Sequence, residues 1–180
     1  MSHSKNTVFI ATSLDGYIAD KNGALDYLGM VPNPDNIDMG YKTLIQRTDA
    51  LIMGRTTFET VCSFDIPWPY SVPVFVLSSK LTEVPVEYKT KVELVKGELK
   101  SILEKINNMG YHRLYIDGGK TIQSFLKEDL IDELIVTQMP ILLGGGSSLF
   151  AQLPKELELE LVDSKVYLGQ IVQSHYKRKK

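Results

Sequence analysis

Cysteine is nearly absent from this sequence, since Cys62 is the single cysteine among 180 residues. One thiol excludes an intrachain disulfide and is typical of proteins that work in a reducing cytoplasm. With only three histidines and no second cysteine, the sequence gives little support to a zinc site. We therefore predict a cytoplasmic protein that binds no metal.

Long hydrophobic runs and an excess of positive charge are also lacking. No stretch of about eighteen apolar residues occurs, so no membrane span is expected. Residues 1–6 contain no apolar core of the kind that signal peptides carry. The 20 Lys and Arg residues are balanced by 22 Asp and Glu residues. A nucleic-acid-binding surface needs a basic patch, so none is predicted.

Short apolar runs that alternate with amphipathic stretches dominate the rest of the chain. Strands are predicted at residues 8–12, 50–53, 74–77, 92–95, 113–116 and 133–139. Segments 157–162 and 171–176 alternate apolar and polar residues, as half-exposed strands do, and would form an antiparallel hairpin. A length of 180 residues suits one domain. We predict one α/β domain over residues 1–180, with a mostly parallel sheet closed by this antiparallel pair.

Three segments end a strand with residues suited to an anion. Segments 51–59 and 114–121 run from an apolar strand through glycine into a helical pattern. Their helices would begin at the C-terminal ends of buried strands, where free N–H groups and a positive dipole end attract phosphate. The third segment, 74–80, ends in two serines and a lysine. Open α/β sheets bind ligands at this edge.

The chemistry of these turns predicts a phosphorylated dinucleotide as the ligand. Glycines at positions 54, 118 and 119 would let a phosphate approach the backbone. Arg55, Ser78 and Ser79 are suitable donors for a second, non-bridging phosphate, because a guanidinium and hydroxyls satisfy its oxygens. The joint occurrence of all three segments carries this prediction.

The order and content of the segments resemble the dihydrofolate reductase superfamily over nearly the whole chain. The matching motifs are Gly54-Arg55-Thr56-Thr57, Leu77-Ser78-Ser79 and Gly118-Gly119-Lys120-Thr121. The segments 130–134 and 140–150 look like the reductase domain of riboflavin biosynthesis, and Ser13-Leu14-Asp15-Gly16 also fits that branch. The resemblance implies a three-layer α/β/α fold, NADPH as cofactor, a small-molecule substrate and a homodimer. Possible dimer contacts are the strand 157–162 and the loop 140–143.

The resemblance also implies which residues bind the cofactor. The implied contacts are Ala11, Asp15, Gly16, Ile18, Gly54, Arg55, Thr56, Thr57, Leu77, Ser78, Ser79, Gly118, Gly119, Lys120 and Thr121. Residues 13–19 look like the loop that closes over the nicotinamide. Within it, Asp15 either forms an Asx turn or shapes the flap, and we favour a structural role. Gly144–Gly146 is interpreted as a tight structural loop, with substrate phosphate contact as the alternative.

Carboxyl groups are the candidates for proton transfer and substrate binding. A carboxyl in a partly apolar pocket would hydrogen-bond a pteridine-like or pyrimidine-like ring and favour its protonation. Asp38 is the catalytic candidate, because the acid of dihydrofolate reductases occupies a similar place; alternatively, Asp38 only interacts with the first helical turn. Asp35 is predicted as a substrate contact or a helix cap. The helix that Asp35 or Asn36 would cap is predicted to run to about Arg47. Asp117, before the glycine pair, is typical of the riboflavin branch and would bind substrate or its own turn.

Three functions are compatible with these residues. The first hypothesis is an NADPH-dependent reductase of a nitrogen heterocycle, resembling 5-amino-6-(5-phosphoribosylamino)uracil reductase. The second is dihydrofolate reduction, which the weaker match of the C-terminal half disfavours. The third is a nucleotide-binding module without catalysis, which would keep both glycine turns but lack a working acid.

Overall fold

A computed structural model of the chain describes residues 4–179. Residues 1–3 and Lys180 lie outside this range. The prediction that residues 1–6 contain no signal-peptide core therefore falls partly outside the described residues. The strands are β1 (Lys5–Ser13), β2 (Tyr17–Ala19), β3 (Ala50–Gly54), β4 (Val74–Leu77), β5 (Val92–Val95), β6 (Arg113–Asp117), β7 (Glu133–Met139), β8 (Ser147–Ser148), β9 (Leu159–Tyr167) and β10 (Ile171–Arg178). The α-helices are α1 (Tyr41–Gln46), α2 (Arg55–Cys62), α3 (Leu99–Asn108) and α4 (Gly119–Lys127).

One eight-stranded sheet organises the fold. Its strand order is β5-β4-β3-β6-β1-β7-β10-β9. The six strands from β5 to β7 are parallel, whereas β10 runs antiparallel to β7 and to β9. The predicted parallel sheet with an antiparallel C-terminal pair is therefore confirmed. Because six strands run the same way, their C-terminal ends meet at one edge, which we call the upper edge.

The core lies in two layers, one on each face of the sheet. Along β3, Ala50 and Ile52 belong to the cluster formed with α3 and α4, while Leu51 and Met53 belong to the cluster formed with α2. This alternation follows the two-residue period of a strand. The near-continuous burial of β3 explains its unbroken apolar sequence. The result is the predicted three-layer α/β/α arrangement.

Two local predictions need correction. The helix predicted to start near Asp35 or Asn36 and to run to Arg47 spans only Tyr41–Gln46. Asn36, Met39 and Gly40 have φ angles of 49°, 52° and 91°, which a right-handed helix does not accommodate. The hairpin is also longer than predicted, and β9 is exposed along its length except at Tyr167. It is not half-exposed, because only Tyr167 of β9 packs against one of the core clusters.

Candidate active site

Two glycine turns pack against each other at the upper edge. β3 leads into α2 at Gly54, and β6 leads into α4 through Gly118, whose φ is 91°. A Cβ on Gly118 would overlap Thr57 Oγ1, and a Cβ on Gly54 would lie 2.7 Å from Thr121 Oγ1. Each turn therefore needs glycine because the other turn's threonine fills the space. The packing places the N-termini of α2 and α4 side by side, an arrangement that favours an anion.

A small second sheet covers these turns. β2 pairs with β8 in an antiparallel way, with Tyr17 opposite Ser148 and Ala19 opposite Ser147. Ile18 lies directly against the Gly118 turn, since a Cβ on Gly119 would be 2.6 Å from Ile18 Cδ1. The loop predicted to close over a nicotinamide is therefore adjacent to the predicted phosphate-binding turn.

Asp15 connects the segment before β2 to the glycine loop Gly144–Gly146 through hydrogen bonds. Its Oδ1 accepts hydrogen bonds from Ser13 Oγ (2.5 Å) and the Leu143 amide (3.1 Å), and its Oδ2 accepts one from the Gly144 amide (2.8 Å). The Ser13 hydroxyl and these amides hold the pKa of Asp15 below its usual value. The geometry agrees with the structural interpretation of Asp15, and its contact with a cofactor stays a prediction. The glycine loop is anchored to Asp15 through the Gly144 amide, and its interpretation as a structural loop stays a prediction.

We expect Asp15→Asn to loosen the cover without changing the sheet. An amide offers one acceptor oxygen where the carboxylate offers two, so one of the bonds to Leu143 and Gly144 is lost. Amide hydrogen exchange at residues 143–148 should accelerate, and KM for the cofactor should rise severalfold. The control is Asp20→Asn, which changes another turn-forming carboxylate of the same loop region. Unchanged exchange at residues 143–148 in Asp15→Asn would contradict this role.

The predicted donors for a second phosphate lie at neighbouring strand ends. Gly54 pairs with Leu77, which places Arg55 and Ser78 beside each other at the upper edge. Ser78 Oγ accepts bonds from the amides of Lys80 (3.1 Å) and Leu81 (2.9 Å), which leaves its hydroxyl proton to donate. Arg55 is held by Glu59 at 2.7 Å, one turn along α2. The upper edge therefore carries the Arg55 guanidinium, paired through Nη1 with Glu59, beside the Ser78 hydroxyl.

Asp117 is a half-buried carboxyl group beside the glycine turns. It ends β6, pairs with Met53 in the ladder, and its Oδ1 accepts a bond from the Gly118 amide at 2.8 Å. Burial raises the pKa of Asp117 to about 6, against the opposing effect of the Gly118 amide. A carboxyl with this pKa exchanges protons near neutral pH, as general acid–base catalysis requires.

Aromatic residues surround Asp117. Burial raises the pKa of Tyr41, Tyr70 and Tyr115, and the nearby Asp117 charge raises each of them further. Phe9 lies against Tyr41 with ring centroids 6.0 Å apart, and the Tyr115 hydroxyl donates to the Phe9 carbonyl at 3.0 Å. The sequence motifs do not include these four residues. They come from four separate segments, so no local pattern could have shown their proximity to Asp117.

Asp38 and Asp35 have different surroundings. Both side chains are exposed, and Asp38 Oδ2 accepts a bond from the Lys42 amide at 2.7 Å, which caps α1. This amide holds the pKa of Asp38 below its usual value. The argument that pointed to Asp38, a carboxyl in a partly apolar pocket, applies in the structure to Asp117. The catalytic role of Asp38 and the substrate contact of Asp35 stay predictions.

Among residues 4–179 there is no group of three or more His, Cys, Asp and Glu residues arranged to hold a metal ion. None of the helices within this range is both long and apolar enough to cross a membrane.

Comparison with known proteins identifies the family. The model of the RibD C-terminal domain matches residues 5–173. The chain belongs to the RibD C-terminal domain family. This family includes the reductase domain that the sequence motifs resemble, so the predicted relationship is confirmed.

Three similar proteins extend this result. The uncharacterized protein YwjB of Bacillus subtilis is 34% identical over 97% of this chain and 98% of its own length. A crystal structure of a protein from Shewanella sp. PV-4 is 57% identical to this chain, with a TM-score of 0.96. The match covers 98% of this chain and 99% of the Shewanella chain, whose name assigns it provisionally to riboflavin biosynthesis. Dihydrofolate reductase from Enterococcus faecalis is 18% identical, with coverage of 98% and 97% and a TM-score of 0.67. This last likeness confirms the dihydrofolate-reductase-like fold.

Proposed function

We propose that this protein is an NADPH-dependent reductase that delivers hydride to a small nitrogen heterocycle. The observation that carries the proposal is the reciprocal packing of the two glycine turns, with the carboxyl of Asp117 beside them. The turns provide a place for a pyrophosphate, and the carboxyl provides a proton near the same edge. Membership of the RibD C-terminal domain family supports the same reaction class.

The chain's residues suit NADPH. Gly54 and Gly118 let the two turns pack closely, so that the N-termini of α2 and α4 lie side by side, where the pyrophosphate would bind. Arg55, Ser78 and Ser79 would bind the 2′-phosphate, and Ile18 would border the nicotinamide. When bound, NADPH supplies the hydride. The protein binds and orients both reactants and holds the proton.

Asp117 is the proton donor in this proposal. Its carboxyl is half-buried and keeps a proton up to a pH of about 6, whereas Asp38 is exposed and engaged in capping α1. Tyr41 and Phe9 would orient a flat ring against this carboxyl, since aromatic rings favour stacked or edge-on contact with another ring. Asp38 remains the alternative acid, and Asp35 remains an alternative substrate contact.

The proposed substrate is 5-amino-6-(5-phosphoribosylamino)uracil or a close relative of it. The family and the name of the Shewanella protein both point to riboflavin biosynthesis. Dihydrofolate is the second candidate, because the fold is shared with dihydrofolate reductase over nearly the whole chain. NADPH oxidation measured with each of the two compounds tests the proposal. Turnover of the ribosylaminouracil supports the proposal, whereas turnover of dihydrofolate alone favours the second candidate. Cofactor binding without turnover of either compound favours a non-catalytic nucleotide-binding module.

Cofactor preference follows from Arg55. Removing a charged hydrogen bond costs about 1.5–3 kcal/mol, so Arg55→Ala should bind NADPH roughly 10- to 150-fold more weakly. Its affinity for NADH should not change, because NADH has no 2′-phosphate. Fluorescence titration with both cofactors measures the effect. Lys127→Ala, which removes a positive charge from the far end of α4, is the control. An undiminished preference for NADPH in Arg55→Ala would remove Arg55 from the site.

Homodimerisation is also part of the proposal. The resemblance implies it, and both surfaces predicted from the sequence carry exposed apolar side chains. Leu142 in the loop 140–143 is 68% exposed, and Leu161 in the segment 157–162 is 55% exposed. Apolar side chains this exposed on ordered segments are suited to contact with another protein surface.

A further inference from the structure

The edge of the sheet opposite the glycine turns, which we call the lower edge, contains a small cavity. The parallel strands begin at this edge, where Lys5 starts β1, Arg113 starts β6 and Glu133 starts β7. The cavity has a volume of about 50 Å³. One water molecule needs roughly 10–15 Å³ of such space, so the cavity admits a group of a few heavy atoms. Its polar lining consists of Lys5, Thr7, Arg47, Thr48, Arg113 and Glu133.

Three cationic side chains converge on this cavity. Lys5 pairs with Arg113 in the β1–β6 ladder, so both side chains leave the same face of the sheet. Arg47 follows α1, which packs on that face through Leu44. All three cations are about half exposed, so a solute can reach them from solvent.

The carboxylate in the cavity wall already has partners. Glu133 is buried, and its Oε1 lies 2.8 Å from Lys5 Nζ and 3.6 Å from His175 Nε2. The Thr7 hydroxyl donates to Glu133 Oε2 at 3.5 Å. The Lys5 ammonium therefore offsets the charge of Glu133, and both carboxylate oxygens are engaged within the protein.

The two arginines, by contrast, keep unused donors. Asp49 Oδ1 accepts hydrogen bonds from Nε and Nη2 of Arg113 at 2.9 Å and 2.5 Å, which leaves Nη1 without an acceptor among residues 4–179. Within the same range the Arg47 guanidinium makes no hydrogen bond, and its ion pair with Glu133 is 3.9 Å long. A guanidinium has five N–H donors and no acceptor. The cavity thus combines spare donors with an excess of positive charge, because Lys5 and both arginines face only two carboxylates.

We propose that the lower-edge cavity is a binding site for a small oxyanion, held by the guanidinium groups of Arg47 and Arg113 beside the Lys5 ammonium. An oxyanion supplies the acceptors that these donors lack. The planar fork of arginine matches the oxygens of phosphate and carboxylate groups. The cavity volume restricts the ligand to a group of this size and excludes a whole nucleotide.

This anion site is separate from the proposed reductase site. Arg113 and Asp117 are the first and last residues of β6, so they lie about 13 Å apart along the strand, at about 3.3 Å per residue. Anion binding at the lower edge therefore does not depend on the reductase activity, and an anion bound there leaves the NADPH site open.

Nuclear magnetic resonance of the ¹⁵N-labelled protein tests the proposal. Sodium phosphate and, in parallel, sodium acetate are titrated at neutral pH, with sodium chloride keeping the ionic strength constant. The side-chain Nε–Hε signals of Arg47 and Arg113 should shift saturably with at least one of the two anions. Tighter binding of phosphate identifies a phosphate site, and tighter binding of acetate identifies a carboxylate site. The absence of a saturable shift with either anion would overturn the proposal.

Variants of Arg47 test whether its guanidinium holds the anion. Arg47→Gln should weaken binding of the preferred anion at least about tenfold, as measured from the Arg113 signal, because it removes charged hydrogen bonds. Arg47→Lys, which keeps the charge without the fork, should bind with intermediate affinity. Unchanged backbone amide signals of β6 verify that each variant is folded. An Arg47→Gln protein that binds as tightly as the wild type would overturn the assignment.

Two control variants separate this site from general charge effects and from the upper edge. Lys42→Gln removes an exposed charge from α1 outside the cavity and should bind the anion like the wild type. Arg55→Ala changes the proposed cofactor site, so the Arg113 shift should persist in it. Loss of the Arg113 shift in Arg55→Ala would place the anion at the upper edge and contradict the proposal.

Discussion

Asp117→Asn is expected to reduce kcat about 10²- to 10⁴-fold, the range for loss of a general acid. Asparagine keeps the shape of the side chain and can still accept the bond from the Gly118 amide. It cannot donate a carboxyl proton to the substrate. NADPH affinity should therefore stay close to that of the wild type. The measurement is single-turnover NADPH oxidation with the compound that the wild type reduces.

The pH dependence gives this prediction a second readout. Burial raises the pKa of Asp117 to about 6, so the protonated form declines above that pH. In the wild type, kcat/KM should fall as pH rises through this value. The residual activity of Asp117→Asn should lack this decline. Asp38→Asn is the control, and its kcat should stay within a few-fold of the wild type.

Asp117→Asn should raise the stability of the folded protein although it lowers the activity. Because the pKa of Asp117 is raised from 3.8 to about 6, the folded state holds this proton more tightly than the unfolded state. The contribution of Asp117 to the free energy of unfolding therefore decreases as pH rises from about 4 to about 6, and it stays at the lower value above that range. Asp117→Asn avoids this loss and should melt at a higher temperature than the wild type at pH 7.

If Asp38→Asn loses activity and Asp117→Asn does not, Asp38 is the catalytic acid.

Gly118→Ala is expected to abolish most NADPH binding. Its φ of 91° suits only glycine, and an added Cβ would overlap Thr57 Oγ1. Strain of this kind costs about 1–3 kcal/mol, and the methyl group would also displace Thr57 and so separate the two helix N-termini where the phosphate would bind. We expect a loss of affinity of at least about tenfold, which corresponds to about 1.4 kcal/mol. Isothermal titration with NADPH measures it.

Gly110 supplies a matched control for this variant. It has the same φ of 91°, but a Cβ there would meet nothing within 4 Å. Gly110→Ala should therefore carry the backbone strain alone and lower the melting temperature without weakening NADPH binding. Equal losses of NADPH affinity in the two variants would mean that Gly118 acts through general stability and does not border the cofactor.

Much of the fold could be predicted because its signals are local. The strand β3 is an unbroken apolar run that ends in glycine, and α3 carries apolar residues at helical spacing followed by Gly110. Parallel strands then bring their C-terminal ends together, so the meeting of the Gly54 and Gly118 turns follows from topology. The shortened α1 was not predictable from apolar spacing, because positive φ angles at Asn36 and Met39 determine its start.

The environment of the acids depends on distant residues and could not be predicted. Asp38 and Asp117 look alike as sequence letters, yet one caps α1 in solvent and the other is half-buried among tyrosines. The bond from the Gly144 amide to Asp15 joins residues 129 positions apart. Local patterns do not encode such contacts. The family resemblance indicated both regions but not how their side chains are engaged.

In the proposed function, the paired glycine turns bind NADPH. The most direct test is titration of the purified wild-type protein with NADPH and, in parallel, with NADH. We predict saturable binding of NADPH that is clearly tighter than binding of NADH. Failure to bind NADPH at millimolar concentration, by a protein shown to be folded, would contradict the account.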